Sequence, residues 1–580
     1  MTRLFIDGKE VILSSDFELE LYRENPFFTR NGDYTYDIDV DLYVPQNSLL
    51  YRSINRADVT SKFSNRSAVV IADGVTVVKG TEIVLSVDSR YAKIQIVSGN
   101  SELNYISSKE SIRNLNLGMI TATKEEALIG LDYFFPDRNY VYPPVYVGYK
   151  DNQSFSFNNQ MTIQETGTIY NEDTVMIPQP FFLFVVEKVI ESIGYRLQEN
   201  ELRNDPRWCR LIMINGIKTE SIAEMLPDWT VDEFLDEVEK FFNCVILIDQ
   251  TEKTAQILRT DGYYANVDSI EIDMVVDTDK EKTYDVDQNL YVDYDSVQYE
   301  FPDYDEYKYM CLDSSVKKLC EVKTLNSIYE SWSELTENYD KHIIYQVGET
   351  CFVGYRESET STPGLKVVDR FSKVNETEGN LATLKVIPAE TFVGITGTIG
   401  PVGSGVFVAA YARNNNDYNN TTTDETGLNE LIKNGVSEED VPEKLYIAYY
   451  LGKQGVFSAA GTTQVQLEYW LPMTASDTVY YVYEDSPPYS FLLNLKDSTL
   501  TLALNGENGL YQSYYANNVK VNTRDEYTFR FNYSGLLDPK QLFLINNKLY
   551  YCKQLHYVLN TNGFDKIVEG IFYLIGDSSV

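Results

Sequence analysis

A mainly β protein with a smaller α/β part is what this chain predicts, and three observations carry that expectation. Tyr is over-used, at 46 of 580 residues, and its amphipathic ring suits a half-buried pleated surface. Short segments of alternating polarity recur along most of the length, separated by Asp-Gly and Asn-Gly turn signals. Helical periodicity with clear start and stop signals concentrates within residues 131–260. A chain of this length exceeds what one core supports, so several domains are expected.

The most legible unit runs LPDWTVDEFLDEVEKFFNCVILIDQTEKTAQILR, Leu226 to Arg259. Thr230 followed by Glu233 is a capping box, which satisfies two orphan N–H groups at a helix start. Val231, Phe234, Leu235, Val238 and Phe242 then define one apolar face, opposite a polar face of Asp232, Glu233, Asp236, Glu239 and Lys240. Asn243 ends the helix, and two strands follow, Cys244 to Ile248 and Thr254 to Leu258, around a turn at Asp249 to Lys253.

From the start of the chain, RLFI and EVIL form a hairpin on Asp7-Gly8, and Asp16 to Tyr22 is a further strand. Tyr34, Tyr36, Ile38, Val40 and Leu42 then alternate with Thr35, Asp37, Asp39 and Asp41, which predicts one continuous strand with an acidic face. Pro45 to Arg56 is a short connection or helix. Strands follow at Ala68 to Ile71, Val75 to Lys79, Thr81 to Val87 and Ala92 to Ser98, with turns at Asp73-Gly74 and Lys79-Gly80. Residues 1–130 therefore read as one β domain.

Residues 131–264 read as the α/β part. Pro178 and Pro180 precede FFLFVVEKVIESIGY, an apolar and buried helix closed by Gly194. Residues 265–360 resume the β pattern, and Asp261 to Met310 holds fifteen acidic and three basic residues among nine tyrosines, a sheet with one acidic face. Residues 361–524 read as an inserted β-sandwich or barrel, with strands at Leu381 to Ile387, Val406 to Ala412, Leu445 to Leu451, Thr463 to Leu471 and Val479 to Tyr483. Residues 525–580 close the chain with YTFRFN and a meander turning at Asn546-Asn547 and Asn562-Gly563, which is expected to complete the sheet begun at 268–350.

The charge narrows the function. Eighty-seven acidic residues against 49 basic ones give a net charge of −38, so binding DNA through its phosphates is disfavoured; an acidic surface instead suits a path that DNA crosses without sticking. Met1 to Glu10 lacks a signal-peptide core and no window approaches 18 continuous apolar residues, so synthesis in the cytoplasm without membrane insertion is expected. Cys209, Cys244, Cys311, Cys320, Cys351 and Cys552 are scattered, as buried free thiols are.

No residue pattern specifies catalysis, a cofactor or a metal, so no catalytic, cofactor-binding or metal-ligating residues are assigned. Asp37, Asp39 and Asp41 share a strand face without a glycine-containing calcium loop, and Asp303, Asp305 and Glu306 read as plain acidic surface. The only histidines are His342 and His556; His342 with Cys351 lies in apparent strands, where packing accounts for both. Gly394, Gly397, Gly400, Gly403 and Gly405 lack the Gly-Lys-Ser/Thr ending of a phosphate loop and read as turns, with Asn414 to Thr423 as a loop tip.

RLFIDGKEVILSSDFELELYRENPFFTRNGDYTYDIDVDL, PQNSLLYRSINR, the Leu226–Arg259 unit and the closing FLINNKLYYCKQLHYVL and GFDKIVEGIFYLI together resemble the tail-tip or baseplate hub proteins of tailed bacteriophages, of the type in phages of gut Bacteroidetes. The resemblance spans roughly residues 1–350 and 525–580. It implies a virion structural protein: a homotrimer in which two tube-like β-barrel domains per subunit continue the tail tube, with 131–264 peripheral. Its partners would be the tail tube or distal tail protein above and tip, spike or fibre proteins below, with DNA passing through. The acidic strands at 34–42 or 285–307 are expected to face that lumen. The family often ends in a peptidase or peptidoglycan hydrolase; here the chain stops after the hub-like strands, which favours a non-enzymatic role. The 361–524 insertion suits contact with other tip proteins or a surface glycan. A glycan-binding adhesin and a carboxylate-based cell-wall glycosidase are the alternative readings.

Overall fold

The computed structural model describes residues 1–59, 66–148, 155–164, 167–249, 252–265, 267–282, 296–300, 321–325, 343–347, 350–355, 364–368, 381–389, 391–393, 406–409, 444–460, 463–473, 480–481, 490–493, 500, 502–504, 509–516 and 521–575. The fold is mainly β with a smaller α/β part, as the alternating segments predict.

The first β unit opens with β1 (Thr2–Ile6) and β2 (Lys9–Val11), joined by Asp7 and Gly8 at φ 48° and 73°. Both angles lie in the left-handed region that a two-residue hairpin loop requires. Then come β3 (Glu18–Glu24), α1 (Pro26–Thr29), β4 (Asp33–Thr35), β5 (Ile38–Asp41), α2 (Pro45–Leu50), β6 (Arg66–Ala72), β7 (Val75–Val87), β8 (Tyr91–Val97) and α3 (Asn100–Ser107).

Two expectations change here. The stretch from Tyr34 to Leu42 is two strands: Thr35 is buried, Tyr36 is 52 % exposed, and core-facing alternation resumes at Ile38. The break lets the Thr35 hydroxyl accept from the Ile96 N–H at 2.9 Å, which a continuous pleat would point away. Lys79-Gly80 is no turn, because β7 runs straight through it. Gly80 is there for close approach: a Cβ would stand 1.9 Å from the Val97 carbonyl oxygen.

The α/β part follows, with α4 (Lys124–Gly130), α5 (Phe182–Ser192), α6 (Val231–Phe242), β9 (Cys244–Asp249) and β10 (Thr254–Arg259). The capping box at Thr230 and Glu233 forms as predicted, and Asn243 closes α6 in the left-handed region at φ 48°. Phe182 stacks on Phe242 at 5.5 Å, and Trp208 meets Phe242 edge-on at 4.9 Å. Fully burying a side chain of this size contributes on the order of 1.5–3 kcal/mol relative to exposure.

The same core takes Val297, Ala382, Ile387, Tyr450 and Leu504, from segments the sequence assigned elsewhere. Strand Leu211–Met213 pairs with Leu445–Ala460, and Ser296–Tyr299 with Leu381–Leu384. The insertion is thus packed into the α/β core at 381–389 and 444–451 rather than set apart from it. Its Gly394 to Gly405 series, the Asn414 to Thr423 loop, Asp303, Asp305, Glu306, Cys311, Cys320 and His342 lie outside the described residues.

The second β unit comprises β11 (Ser269–Ile272), β12 (Val275–Lys282), β13 (Asp525–Asn532), β14 (Leu542–Ile545), β15 (Lys548–Asn560) and β16 (Gly563–Leu574). The closing strands complete the sheet begun at 269–282, whereas the strands between 321 and 368 pair among themselves. The two units are also fused, which the sequence did not suggest. β3 pairs antiparallel with β15 from Glu18↔Asn560 to Glu24↔Gln554. The result is one 14-stranded sheet in the order β2-β1-β6-β7-β8-β4-β3-β15-β16-β13-β12, with β5 beside β8 and β14 bridging β11 and β15. Among the described residues the strands of these two units form one continuous ladder, curled enough for the Thr2 N–H to donate to the Thr561 carbonyl at 3.1 Å.

Within it one wiring occurs twice. The ladder β6-β7-β8-β4-β3 is repeated as β14-β15-β16-β13-β12, and the corresponding strands also follow one another in the same order along the chain. β7 and β15 are both 13 residues long, and β1 flanks β6 as β11 flanks β14, although the first pair is antiparallel and the second parallel. Apolar faces of both units meet in one core that includes Leu4, Leu21, Val70, Ile94, Phe543 and Phe572.

Candidate functional surfaces

Across the fused units, one cross-strand row runs Tyr34, Tyr22, His556, Glu569, Arg530 and Asp277, each the register partner of the next. It lies on the face away from the core, because Leu19 and Leu21 point inward on β3 and their alternates must point outward. Tyr22 stacks on His556 at 4.4 Å and on Tyr34 at 5.5 Å, and Arg530 Nε lies 3.5 Å from Glu569 Oε2. His556 Nε2 is 3.7 Å from Glu20 Oε2. Glu24 accepts from the Tyr34 hydroxyl at 2.9 Å and from the Gln554 side-chain amide Nε2 at 2.8 Å. Burial, and then the neighbouring Glu20 or Glu24, pushes both tyrosine hydroxyls upward, so they remain proton donors at neutral pH.

The acidic residues of β5 and its approach are outward as expected, and two are partnered. Asp37 meets Lys93 at 3.3 Å and Asp41 meets Arg90 at 2.9 Å, while Asp39 is exposed. The Arg90 hydrogen bond and the Tyr43 N–H hold the Asp41 carboxyl below its usual range. In the other expected acidic stretch, 285–295 and 301–307 lie outside the described residues. Asp277 and Asp279, just before it on β12, are exposed. Among the described residues no group of three or more His, Cys, Asp or Glu side chains is placed to hold a metal ion.

The polar face of α6 is a docking surface rather than a solvated one. Arg30, in the left-handed cap of α1, pairs with Glu239 and lies 3.3 Å from Asp236 and 3.6 Å from Asp232. Glu239 also accepts from the Ile246 N–H at 2.7 Å, and Glu237 from the Lys385 N–H at 2.8 Å. Burial pushes the Glu237, Glu239 and Asp232 carboxyls up, against the pull of Lys240 or Arg30. The helix spacing revealed which residues share the face; that a guanidinium some two hundred positions earlier covers it has no local signal.

Asn25 ties three parts of the chain together. Its Nδ2 donates to the Tyr264 hydroxyl at 2.8 Å and to the Pro539 and Cys552 carbonyls at 3.0 Å. Beside it lies a polar cavity of about 300 Å³ lined by Arg23, Asp33, Lys79, Asp249, Asp538 and Lys540, in which Arg23 is already paired with Asp33 at 3.1 Å. Cys244 and Cys552 are buried, and burial raises both thiols well above their usual range, which leaves them inert as nucleophiles. No helix among the described residues is long and apolar enough to cross a membrane.

No family model matches the chain, and no curated protein matches it. Among solved structures it is similar to the 43 kDa tail protein of prophage MuSo2 from Shewanella oneidensis, with 8 % identity, 98 % of this chain and 95 % of that chain covered and a TM-score of 0.32. It is also similar to the tail protein from Neisseria meningitidis MC58, with 7 % identity, 99 % and 95 % covered and a TM-score of 0.32. Likeness this distant transfers no function to the chain.

Proposed function

We propose that this chain is a structural protein of a phage tail, a homotrimeric hub that joins the tail tube to the tip or baseplate and surrounds a channel for DNA ejection. The observation that carries the reading is the tandem β unit. Two like-wired units fused edge to edge give each subunit two steps of a ring, so three subunits would present six, the order needed to continue a sixfold tube. A channel for DNA also has to avoid holding it. The outward row from Tyr34 to Asp277 and the acids at 37–41 offer aromatic, acidic and internally paired groups, without a run of free cations that would capture phosphate.

In this reading the tube or distal tail protein sits above the ring and tip, spike or fibre proteins below it. The α/β part, tied down through Arg30, lies outside, and the 361–524 segment contacts neighbouring tip proteins or a surface glycan. The role is non-enzymatic and the location is the virion. Electron microscopy of the purified chain, with its mass measured in solution, tests this. A threefold ring with a lumen that admits duplex DNA and is lined by the 34–42 face is the expected result. A ring with a basic lumen and those carboxylates on the outside would overturn it.

A further inference from the structure

β8 leaves its neighbour early. Its pairing with β7 ends at Thr81↔Val97, although β7 begins at Val75. β6 covers the other edge of β7 from Val75 to Glu82, so only the β8 side of residues 75–80 lacks a ladder partner among the described residues. The chain that would continue β8 is itself described, and it turns away. The Ser98 N–H donates to the Asp33 carbonyl at 2.8 Å, Gly99 takes a left-handed φ of 57°, and α3 begins at Asn100. The Asn100 side chain holds the turn against β9, donating to the Ile246 carbonyl at 2.6 Å and accepting from the Ile248 N–H at 3.1 Å. The Ser98 hydroxyl donates back to the Lys79 carbonyl at 2.6 Å, which shows that this edge of β7 faces the gap.

The second unit shows what such a gap holds. Counted from the start of each strand, residues 77–79 of β7 correspond to 550–552 of β15, which pair with Phe572, Tyr573 and Leu574 of β16. In the first unit that place is the polar cavity of about 300 Å³ beside Asn25, with Thr76 to Lys79 as one wall. Its charges are largely spent inside it. Arg23 pairs with Asp33, Glu24 accepts from Asn31, Tyr34 and Gln554, and Lys79 and Lys540 are matched in number by Asp249 and Asp538. Such a lining gives a free anion little to bind, and what it offers instead is a strand edge.

We propose that this gap receives a short extended segment of another protein, added antiparallel to β7 at 77–79 as β16 is added to β15. The inference goes beyond the ring reading and does not depend on it. Unpaired strand edges are templates for a further strand, and main-chain hydrogen bonds give such additions their affinity. An uncharged backbone suits a cavity whose own charges are matched. Val77 and Val78 are buried while Thr76 and Lys79 are exposed, so recognition rests on the main chain more than on side-chain pockets.

Amide hydrogen exchange of the full chain tests the edge first. Segment 76–79 should exchange about tenfold faster than its filled counterpart at 550–552. Equal protection would mean that the chain already fills the edge, and protection that grows with protein concentration would assign it to a second copy; either result overturns the proposal. A guest is then supplied in place. The Met1 amine lies 2.8 Å from Asp73, in the turn that leads into β7, and an antiparallel guest would end near Val75. A strand of sequence TVTVT fused ahead of Met1 through a Gly/Ser linker therefore reaches the gap at high effective concentration. The same fusion carrying TPTPT loses N–H donors and serves as control. Exchange at 76–79 should slow about tenfold with TVTVT and stay unchanged with TPTPT. Equal exchange in the two fusions would overturn the proposal.

Discussion

Tyr22 and His556 come from opposite ends of the chain, and their rings stack at 4.4 Å with planes 14° apart across the seam between the two β units. They are direct register partners in the β3–β15 ladder, so the stack reports whether the two units remain fused. The consequences of that seam and of the contacts around it can be measured.

A double-mutant cycle of Tyr22→Ala and His556→Ala, followed by denaturant unfolding, should give a coupling of about 0.5–1.5 kcal/mol, the range of aromatic pairs beyond their burial. Purely additive effects would show that the seam is held by its backbone ladder alone.

Arg30→Met removes the cation that faces three carboxylates on α6, among them Glu239 with a side chain 7 % exposed. Stranding a buried charge costs about 3–5 kcal/mol, so a large fall in stability is expected. Adding Glu239→Gln should recover part of it. Recovery would separate the cost of the stranded charge from the loss of packing, and its failure would assign the whole effect to packing.

Glu102 is buried on α3, where it accepts from the Thr81 hydroxyl at 2.6 Å while its other oxygen is without a hydrogen bond. Burial raises its carboxyl above the reference value of 4.5, against the pull of Thr81 and Lys253. The folded state therefore holds this proton more tightly than the unfolded state does. Its contribution to stability is greatest below pH 4.5 and is lost as pH rises through the raised folded value. Glu102→Gln should flatten that part of the stability profile; an unchanged slope would point to other carboxyls.

Substituting Asp37→Lys, Asp39→Lys and Asp41→Lys together adds cations beside Lys93 and Arg90 and removes both of their partners. Retention of duplex DNA by the assembled protein is expected to appear. It should weaken with salt, with a slope of about 0.9 per phosphate neutralised. If these positions lie away from a DNA path, phage carrying the triple change should release DNA at the unsubstituted rate despite any such binding.

What the sequence determined by itself is local. The Asp7-Gly8, Asp73-Gly74 and Asn546-Asn547 turns, the Thr230–Glu233 cap and the close of α5 at Gly194 follow from backbone angles and hydrogen bonds within a few residues, and they stand where the residues place them. The tertiary structure decided everything that needed a distant partner. Gly80 looks like a turn until the Val97 carbonyl is brought against it, and the acids of α6 look solvated until Arg30 arrives. The same holds for the segment 381–389, which reads as part of a separate insertion but finds its apolar partners on α6. A strand's own pattern gives its inward and outward faces, while its edges are alike in every strand, a row of N–H and C=O groups with no side-chain signature. That is why β3 and β15 could each be predicted as a strand, while their pairing across the length of the chain could not.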